Sequence, residues 1–184
     1  MSWAVMIKPK DIRSQKFTAD DKILLDANVW LFLQGPPGDP KDDRVAIYSR
    51  AFADMLAAKC LVIVNALIMS EFVNRFARLQ FGLVKKPAEN FKDFRNSPDF
   101  KPIAAWIAEE SRCIFYVANR IECGFSSLNH TDLLNAFESG GADFNDLIIA
   151  DICRRNNYTL VTHDGDFCNS EFSILTANNK LLKS

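Results

Sequence analysis

Ligands for soft metals and pairs for disulfides are scarce in this sequence. There are only two histidines, His130 and His163, which argues against a histidine-rich metal site. The five cysteines are an odd number, and no two of them form a CxxC pair. We therefore expect reduced thiols in a cytoplasmic protein rather than disulfides or zinc ligands. The thiols are Cys60, Cys113, Cys123, Cys153 and Cys168.

Long apolar runs and a strong net charge are also missing. No run approaches the roughly 20 apolar residues that span a bilayer, and the start MSWAVMIKPK turns polar too soon for a signal peptide. We therefore expect no membrane partner. The formal net charge of −1 gives no strong field for coating a polyanion. That charge still suits an enzyme that holds phosphates through metal ions.

The composition that is present is ordinary for a globular protein, with 48% hydrophobic and 24% charged residues over 184 positions. This length predicts a single domain with a sizeable core. Residues 1–21 are polar and weakly patterned, which predicts a loosely packed N-terminal lead-in. Residues 82–102 hold three prolines and many charges, which predicts an insertion or a mobile loop.

Short apolar runs alternate with helical patterns along the chain. Strands are predicted at 23–25, 61–64, 159–162 and 172–176, and 113–118 (CIFYVA) is strand-like although a helix also suits it. Helices are predicted at 27–33, 44–59, 65–80, 103–112, 131–138 and 146–155, the third with Asn65 as its cap. This alternation predicts a three-layer α/β/α sandwich around a central, mainly parallel sheet.

Four carboxylates are predicted to meet at one edge of that sheet. Asp26 follows the strand ILL directly and Asp164 follows TLVT by one residue, so both lie beyond strand carboxyl ends, where ligands bind in parallel sheets. Glu71 lies beside the apolar stripe of the helix after LVIV. Asp146 opens a helix whose preceding loop, GGADFND, can approach the same edge. Four carboxylates gathered there could not all stay ionised without a cation.

Oxygen ligands without histidine favour a hard cation, Mg²⁺ or Mn²⁺. Such ions keep several waters and bind phosphate oxygens, and they can activate a water for in-line attack. The pattern therefore indicates phosphoester chemistry. Each acid also has a purely structural interpretation: a helix cap for Asp26, a helix-dipole charge for Asp146, a solvated helix position for Glu71 and a turn for Asp164. Four separate structural roles do not predict a shared edge, so the prediction depends on the set.

The blocks ILLDANVW, SEFVNRF, DLIIADI and TLVTHDGDF, in this order, resemble the four acidic blocks of the PIN-domain nucleases, which include the VapC-type toxins. The resemblance covers roughly residues 22–167. It implies that the catalytic and metal-binding acids are Asp26, Glu71, Asp146 and Asp164. It also implies supporting roles for Asn28, Thr162, Asp166 and Asp143.

By this resemblance we expect a PIN-like fold and a Mg²⁺- or Mn²⁺-dependent endoribonuclease that hydrolyses phosphodiester bonds of single-stranded RNA. The resemblance also implies frequent homodimers and, for the toxins, inhibition by a small antitoxin protein. Several basic residues could meet RNA phosphates, although arginine and lysine on a helix usually form its solvated face. They are Arg75, Arg78, Lys85, Lys86, Arg154 and Arg155. Phe91, Phe94 and Phe100 could stack on bases or anchor their segment to the body.

Two other classes of protein share part of this pattern. A phosphotransferase of the haloacid dehalogenase type also begins with an apolar strand and an Asp, but it needs a second Asp where this chain has Asn28. The alternative function is a non-catalytic PIN-like module that binds protein or RNA, although a scaffold has no need of four converging carboxylates. A dinucleotide-binding enzyme is excluded because no GxGxxG follows ILL.

Overall fold

The computed structural model describes residues 6–39, 41–85, 90–167 and 170–183. Within these ranges six strands form one sheet in the order β1-β6-β5-β2-β3-β4, and each of its strand pairs is parallel. The strands are β1 (Lys10–Asp11), β2 (Lys22–Leu25), β3 (Leu61–Asn65), β4 (Asn119–Ile121), β5 (Thr159–Val161) and β6 (Ile174–Thr176). The expected mainly parallel sheet is confirmed.

Helices cover both faces of the sheet. They are α1 (Ala27–Gln34), α2 (Asp43–Ala57), α3 (Ala66–Val84), α4 (Phe91–Arg95), α5 (Phe100–Val117), α6 (His130–Glu138) and α7 (Phe144–Asn156). From β2 the chain steps outward to β3 and β4, and then returns to β5 on the other side of β2. Because parallel crossovers are right-handed, the helices before β4 lie on one face and α6 and α7 lie on the other. Consistent with this, α1 packs on α2 and α3, α3 packs on α5, and α6 packs on α7.

The central strands are buried because helices cover them on both sides. Ile23 to Leu25 and Val62 to Val64 are each at most 1% exposed, which is typical of a parallel sheet between two helical layers. At the end of β3, the side-chain oxygen of Asn65 accepts a hydrogen bond from the backbone N–H of Ile68 at 3.0 Å. The predicted cap of α3 is confirmed. None of the described helices is long and apolar enough to cross a membrane.

The strand-like run 113–118 is helical in the structure. Residues 113–117 form the last turns of α5, which continues past the predicted end at residue 112, and Ala118 is its C-terminal cap. Ile107, Ser111 and Ile114 are its buried residues and recur at helical spacing, so the pattern of the whole element has a helical period. The strand of this region is the short β4 that follows, which sequence reasoning did not predict because its residues are mainly exposed.

Two other regions also differ from the expectations. In the segment 82–102, α3 extends to Val84, α4 follows and α5 begins at Phe100, so the described part is largely helical rather than a loop. Phe94 is buried, with its ring centroid 5.5 Å from that of Phe100, and these aromatic residues anchor the segment. In the lead-in, β1 pairs with β6, and Ile12 is buried. Lys86 and Cys168 lie outside the described residues.

Candidate functional site

The strand order creates a switch point between β2 and β5, where ligands bind in open parallel sheets. Leu25 pairs with Val161 across these two strands, and the backbone N–H of Asp26 donates to the carbonyl of Val161 at 3.0 Å. The residues that follow the strands, Asp26 and Thr162, are therefore neighbours. The structure thus places the first acidic block, ILLDANVW, beside the last one, TLVTHDGDF.

Asp26 is almost completely buried, and both of its carboxylate oxygens accept hydrogen bonds. Its Oδ1 accepts from the backbone N–H of Ala27 at 2.6 Å, which caps α1. Its Oδ2 accepts from the hydroxyl of Thr162 and from the amide of Asn28, each at 2.6 Å. These hydrogen bonds hold the carboxylate in a fixed position at the switch point, since each of them would be lost if the side chain turned.

Thr162 and Asn28 connect Asp26 to the turn that follows β5. The Thr162 hydroxyl donates to Asp26 and accepts from the amide of Asn28 at 3.2 Å and from the backbone N–H of Asp164 at 2.9 Å. The Asn28 side-chain oxygen accepts from the backbone N–H of His163 at 3.0 Å. Asp164 Oδ1 in turn accepts from the backbone N–H of Asp166 at 3.2 Å. The predicted supporting positions Asn28 and Thr162 thus contact Asp26 directly, and Asp166 contacts Asp164 through its backbone.

Asp143 and Asp146 have different positions at the start of α7. Asp143 is the cap, because its Oδ1 accepts from the backbone N–H of Asp146 at 2.9 Å. Asp146 lies in the first turn and is half-buried. Burial and then the negative charges of Asp143, Asp26, Asp164 and Glu71, in that order of importance, together raise the pKa of Asp146 to about 7. The helix begins at Phe144, two residues before the predicted start.

Glu71 lies on α3, where its Oε1 forms an ion pair with Arg75 Nη1 at 2.9 Å. Its charge nevertheless acts on the other acids. The pKa of Asp26 is raised to about 6, chiefly by burial and then by the charges of Glu71 and Asp164, against the lowering effect of its hydrogen bonds to Thr162 and Ala27. The four predicted acids therefore lie within electrostatic reach of one another, and we call Asp26, Glu71, Asp146 and Asp164 the acidic cluster.

The acidic cluster has the donor chemistry of a hard-cation site, but its side chains are not gathered around one point. Across the described residues, no three His, Cys, Asp or Glu side chains stand close enough to hold a metal ion between them. The oxygen-only donors and the raised pKa values of Asp26 and Asp146 suit a divalent cation, because a cation would relieve the repulsion. A metal ion held by all four acids would need their side chains closer together than they stand in this structure.

Sequence reasoning missed the aromatic residues beside the acidic cluster. The Tyr48 hydroxyl donates to the carbonyl of Thr162 at 3.2 Å, lies 3.0 Å from His163 Nδ1 and accepts from the backbone N–H of Ala177 at 3.0 Å. Burial lowers the pKa of His163. Tyr48 carries no local signal of this role, since its spacing on α2 indicates only a core position. The buried tyrosine nevertheless supports the turn that carries Asp164.

Comparisons with known proteins give little beyond this geometry. No family model matches the chain, and no curated protein matches it. A solved structure that resembles it is the crystal structure of VapBC2 from Rickettsia felis bound to a DNA fragment from their promoter. That chain is 16% identical, with a TM-score of 0.49, and the alignment covers 84% of this chain and 97% of the other. At this identity and score the likeness assigns neither an activity nor a partner.

Proposed function

We propose that this chain is a Mg²⁺- or Mn²⁺-dependent endoribonuclease that hydrolyses phosphodiester bonds of single-stranded RNA. One observation carries the proposal: carboxylates from four separate parts of the chain lie within electrostatic reach of one another near the sheet's switch point, and burial together with their charges raises the pKa values of Asp26 and Asp146 to about 6 and about 7. Pairs of acids with pKa values displaced toward neutrality are typical of functional sites rather than of structural ion pairs.

In this proposal the acidic cluster holds the metal, and each acid has a distinct part. Asp26 is the rigid ligand, because Thr162, Asn28 and the N-terminus of α1 fix both of its oxygens. Asp146 and Asp164 are carried by the first turn of α7 and the turn after β5, and Asp143 sets the start of α7. A bound divalent ion supplies water activation and neutralises charge on the leaving oxygen. Glu71 completes the set once it leaves Arg75.

The biological setting of the proposal is a cytoplasmic, PIN-like ribonuclease, and its partners are RNA, a second copy of the chain and a small antitoxin protein. These finer statements are supported only by the resemblance of the four sequence blocks. A direct test is copurification of the chain with the product of a short neighbouring reading frame, combined with measurement of its oligomeric state by light scattering. If the chain purifies alone and its activity does not respond to that product, the antitoxin part of the proposal is wrong.

A second function is favoured by one specific observation. Because no three ligand-type side chains stand together around one point in the described residues, the chain is also compatible with a non-catalytic PIN-like module that binds protein or RNA. The two functions differ in their response to metal. A module binds its partner equally well with and without Mg²⁺, whereas the nuclease needs the ion to cut.

Metal-dependent cleavage separates these functions. Wild type and the double variant Asp26→Asn, Asp146→Asn are incubated with a panel of RNAs and single-stranded DNAs in Mn²⁺, Mg²⁺ or chelator. We expect cleavage only by wild type with metal. The matched control is Asp54→Asn, the same chemical change on the exposed side of α2, which should leave cleavage unchanged. If the double variant and the wild type leave every strand equally intact in Mn²⁺, the nuclease proposal fails.

A further inference from the structure

A cavity of about 530 Å³ opens directly beside the acidic cluster. It lies between α1, the segment that follows it, the start of α2, the middle of α3 and the turn after β5. Its wall includes Asn28, which contacts Asp26, and Asp164 itself. It also includes Arg75, whose guanidinium pairs with Glu71 at 2.9 Å. A ligand in this cavity therefore touches residues that contact or belong to the acidic cluster.

One wall of the cavity contains Phe32 and Arg44, which pack on each other. The Arg44 guanidinium carbon lies 4.9 Å from the centroid of the Phe32 ring. Asp42 holds the same guanidinium from its edge, with Nε 2.8 Å from Oδ1 and Nη2 2.5 Å from Oδ2. Both groups line the cavity, and the Arg44 side chain is 45% exposed. We call this pair the Phe32–Arg44 surface.

The body of the protein supports this surface from behind. The buried Tyr48 ring is nearly parallel to that of Phe32, with centroids 5.4 Å apart and planes 6° from parallel. Tyr48 is itself held by its hydrogen bonds to Thr162 and Ala177. Tyr48 thus supports the Phe32 ring and Asp42 holds the Arg44 guanidinium, so less conformational entropy is lost when a ligand packs on them.

The rest of the cavity lining has an apolar part that could contact a base and a cationic group that could contact a phosphate. Val45 and Leu79 expose 40% and 50% of their surfaces in its lining, and they offer apolar contact to the edges of a flat ring. Arg75 lies between this apolar part and the acidic cluster, where it can meet a phosphate once Glu71 turns toward a cation. Aromatic rings and guanidinium planes are the groups on which proteins stack unpaired bases.

We propose that this cavity holds one unpaired nucleobase, stacked on the Phe32–Arg44 surface, with the adjoining phosphate over the acidic cluster. The inference rests on the proposed nuclease function and deepens it, because it assigns the residues that select a single strand. A base within a duplex is stacked on both faces and paired along one edge, so it cannot enter the cavity without leaving the duplex. Because every base has a π-face, the surface selects for unpaired bases rather than for one base.

The test measures binding without cleavage. Fluorescence anisotropy follows a short labelled oligouridylate and a matched strand of abasic phosphate units, which has the same charge and no bases. Ca²⁺ replaces Mg²⁺, since it is a hard cation that screens the carboxylates, and gels check that the strands stay intact. The first variant, Arg44→Lys, keeps the positive charge and removes the planar guanidinium. The second, Phe32→Leu, keeps the apolar bulk and removes the aromatic ring. Arg50→Lys, on the exposed side of the same helix, is the matched control.

We expect Arg44→Lys and Phe32→Leu each to weaken oligouridylate binding by about tenfold, the size of one base-stacking contact. Neither change should alter binding of the abasic strand, and Arg50→Lys should bind both strands as wild type does. The inference would be overturned if the two variants lost affinity equally for both strands or lost none. It would also be overturned if wild type did not bind oligouridylate. A protein that binds with this base-dependent pattern but never cuts in Mn²⁺ retains the stacking site and loses the nuclease function.

Discussion

Replacing Asp146 by asparagine should stabilise the metal-free protein, and most at neutral or higher pH. Asp146 is half-buried and surrounded by the charges of Asp143, Asp26, Asp164 and Glu71, which together with burial raise its pKa from 3.8 to about 7. Asparagine has nearly the same shape and no charge. The variant therefore removes the repulsion while leaving the cap of α7, which Asp143 provides, in place.

The size of the gain follows from the pKa. A rise of about three pKa units corresponds to roughly 4 kcal/mol when the group is fully ionised, at 1.36 kcal/mol per unit. Since the side chain is half-exposed, solvent screens much of this, and we reduce it to about 1.5 kcal/mol. Loss of a favourable charge in the first helical turn takes away about 0.5 kcal/mol. The free energy of unfolding of the variant should therefore be about 1 kcal/mol higher than that of wild type.

The stability difference between the variant and wild type depends on pH, because it requires an ionised Asp146. At pH values well below 3.8, its ordinary pKa, the carboxyl is protonated in the folded and the unfolded chain, so wild type carries no penalty there. As pH rises from about 4 to about 7, the unfolded chain ionises first and wild type loses stability relative to the asparagine variant. Above about pH 7 the difference reaches its full size.

Urea unfolding with chelator, at about pH 5 and about pH 8, measures this difference directly. The exposed Asp54→Asn change is the control and should stay within about 0.5 kcal/mol of wild type at both pH values. If Asp146→Asn is no more stable than wild type at the higher pH, or gains equally at both, the four acids do not repel one another as described.

Three further predictions follow from the same contacts. Millimolar Mg²⁺ or Mn²⁺ should raise the melting temperature of wild type in a thermal scan and raise that of Asp26→Asn, Asp146→Asn far less; an equal rise in both would mean that the ion binds elsewhere. Thr162→Val removes the hydroxyl that donates to Asp26 and should lower the free energy of unfolding by about 2 kcal/mol in urea at neutral pH, whereas Thr131→Val on the exposed start of α6 should change it little. Cleavage at limiting Mg²⁺ should fall as pH drops through about 7 and then about 6, because Asp146 and Asp26 take up protons that compete with the ion; a rate that stays flat from pH 8 to pH 5 would contradict this.

The sequence pattern predicted an element correctly where the contacts that stabilise this element join near neighbours in the chain. The strand before Asp26 is an apolar run covered on both faces, and Asn65 caps the helix that it directly precedes, through a hydrogen bond to a residue three positions away. Because such signals depend on near neighbours, the sequence predicted β2, β3, α3 and the placing of Asp26 and Asp164 beyond strand ends. Where the signal was weak, as in the exposed β4 and the run 113–118, prediction failed.

The sequence by itself thus determined the alternation of strands and helices and predicted that Asp26 and Asp164 lie beyond strand ends. Only the tertiary structure decided how those acids act on each other. The hydroxyl of Thr162 reaches Asp26 across 136 positions, and Tyr48 supports the same turn across 114. The Phe32–Arg44 surface likewise forms only when α2 packs on α1. Such contacts depend on how the chain closes on itself, and burial in that closed structure raises the pKa values of Asp26 and Asp146, so no local pattern predicts them.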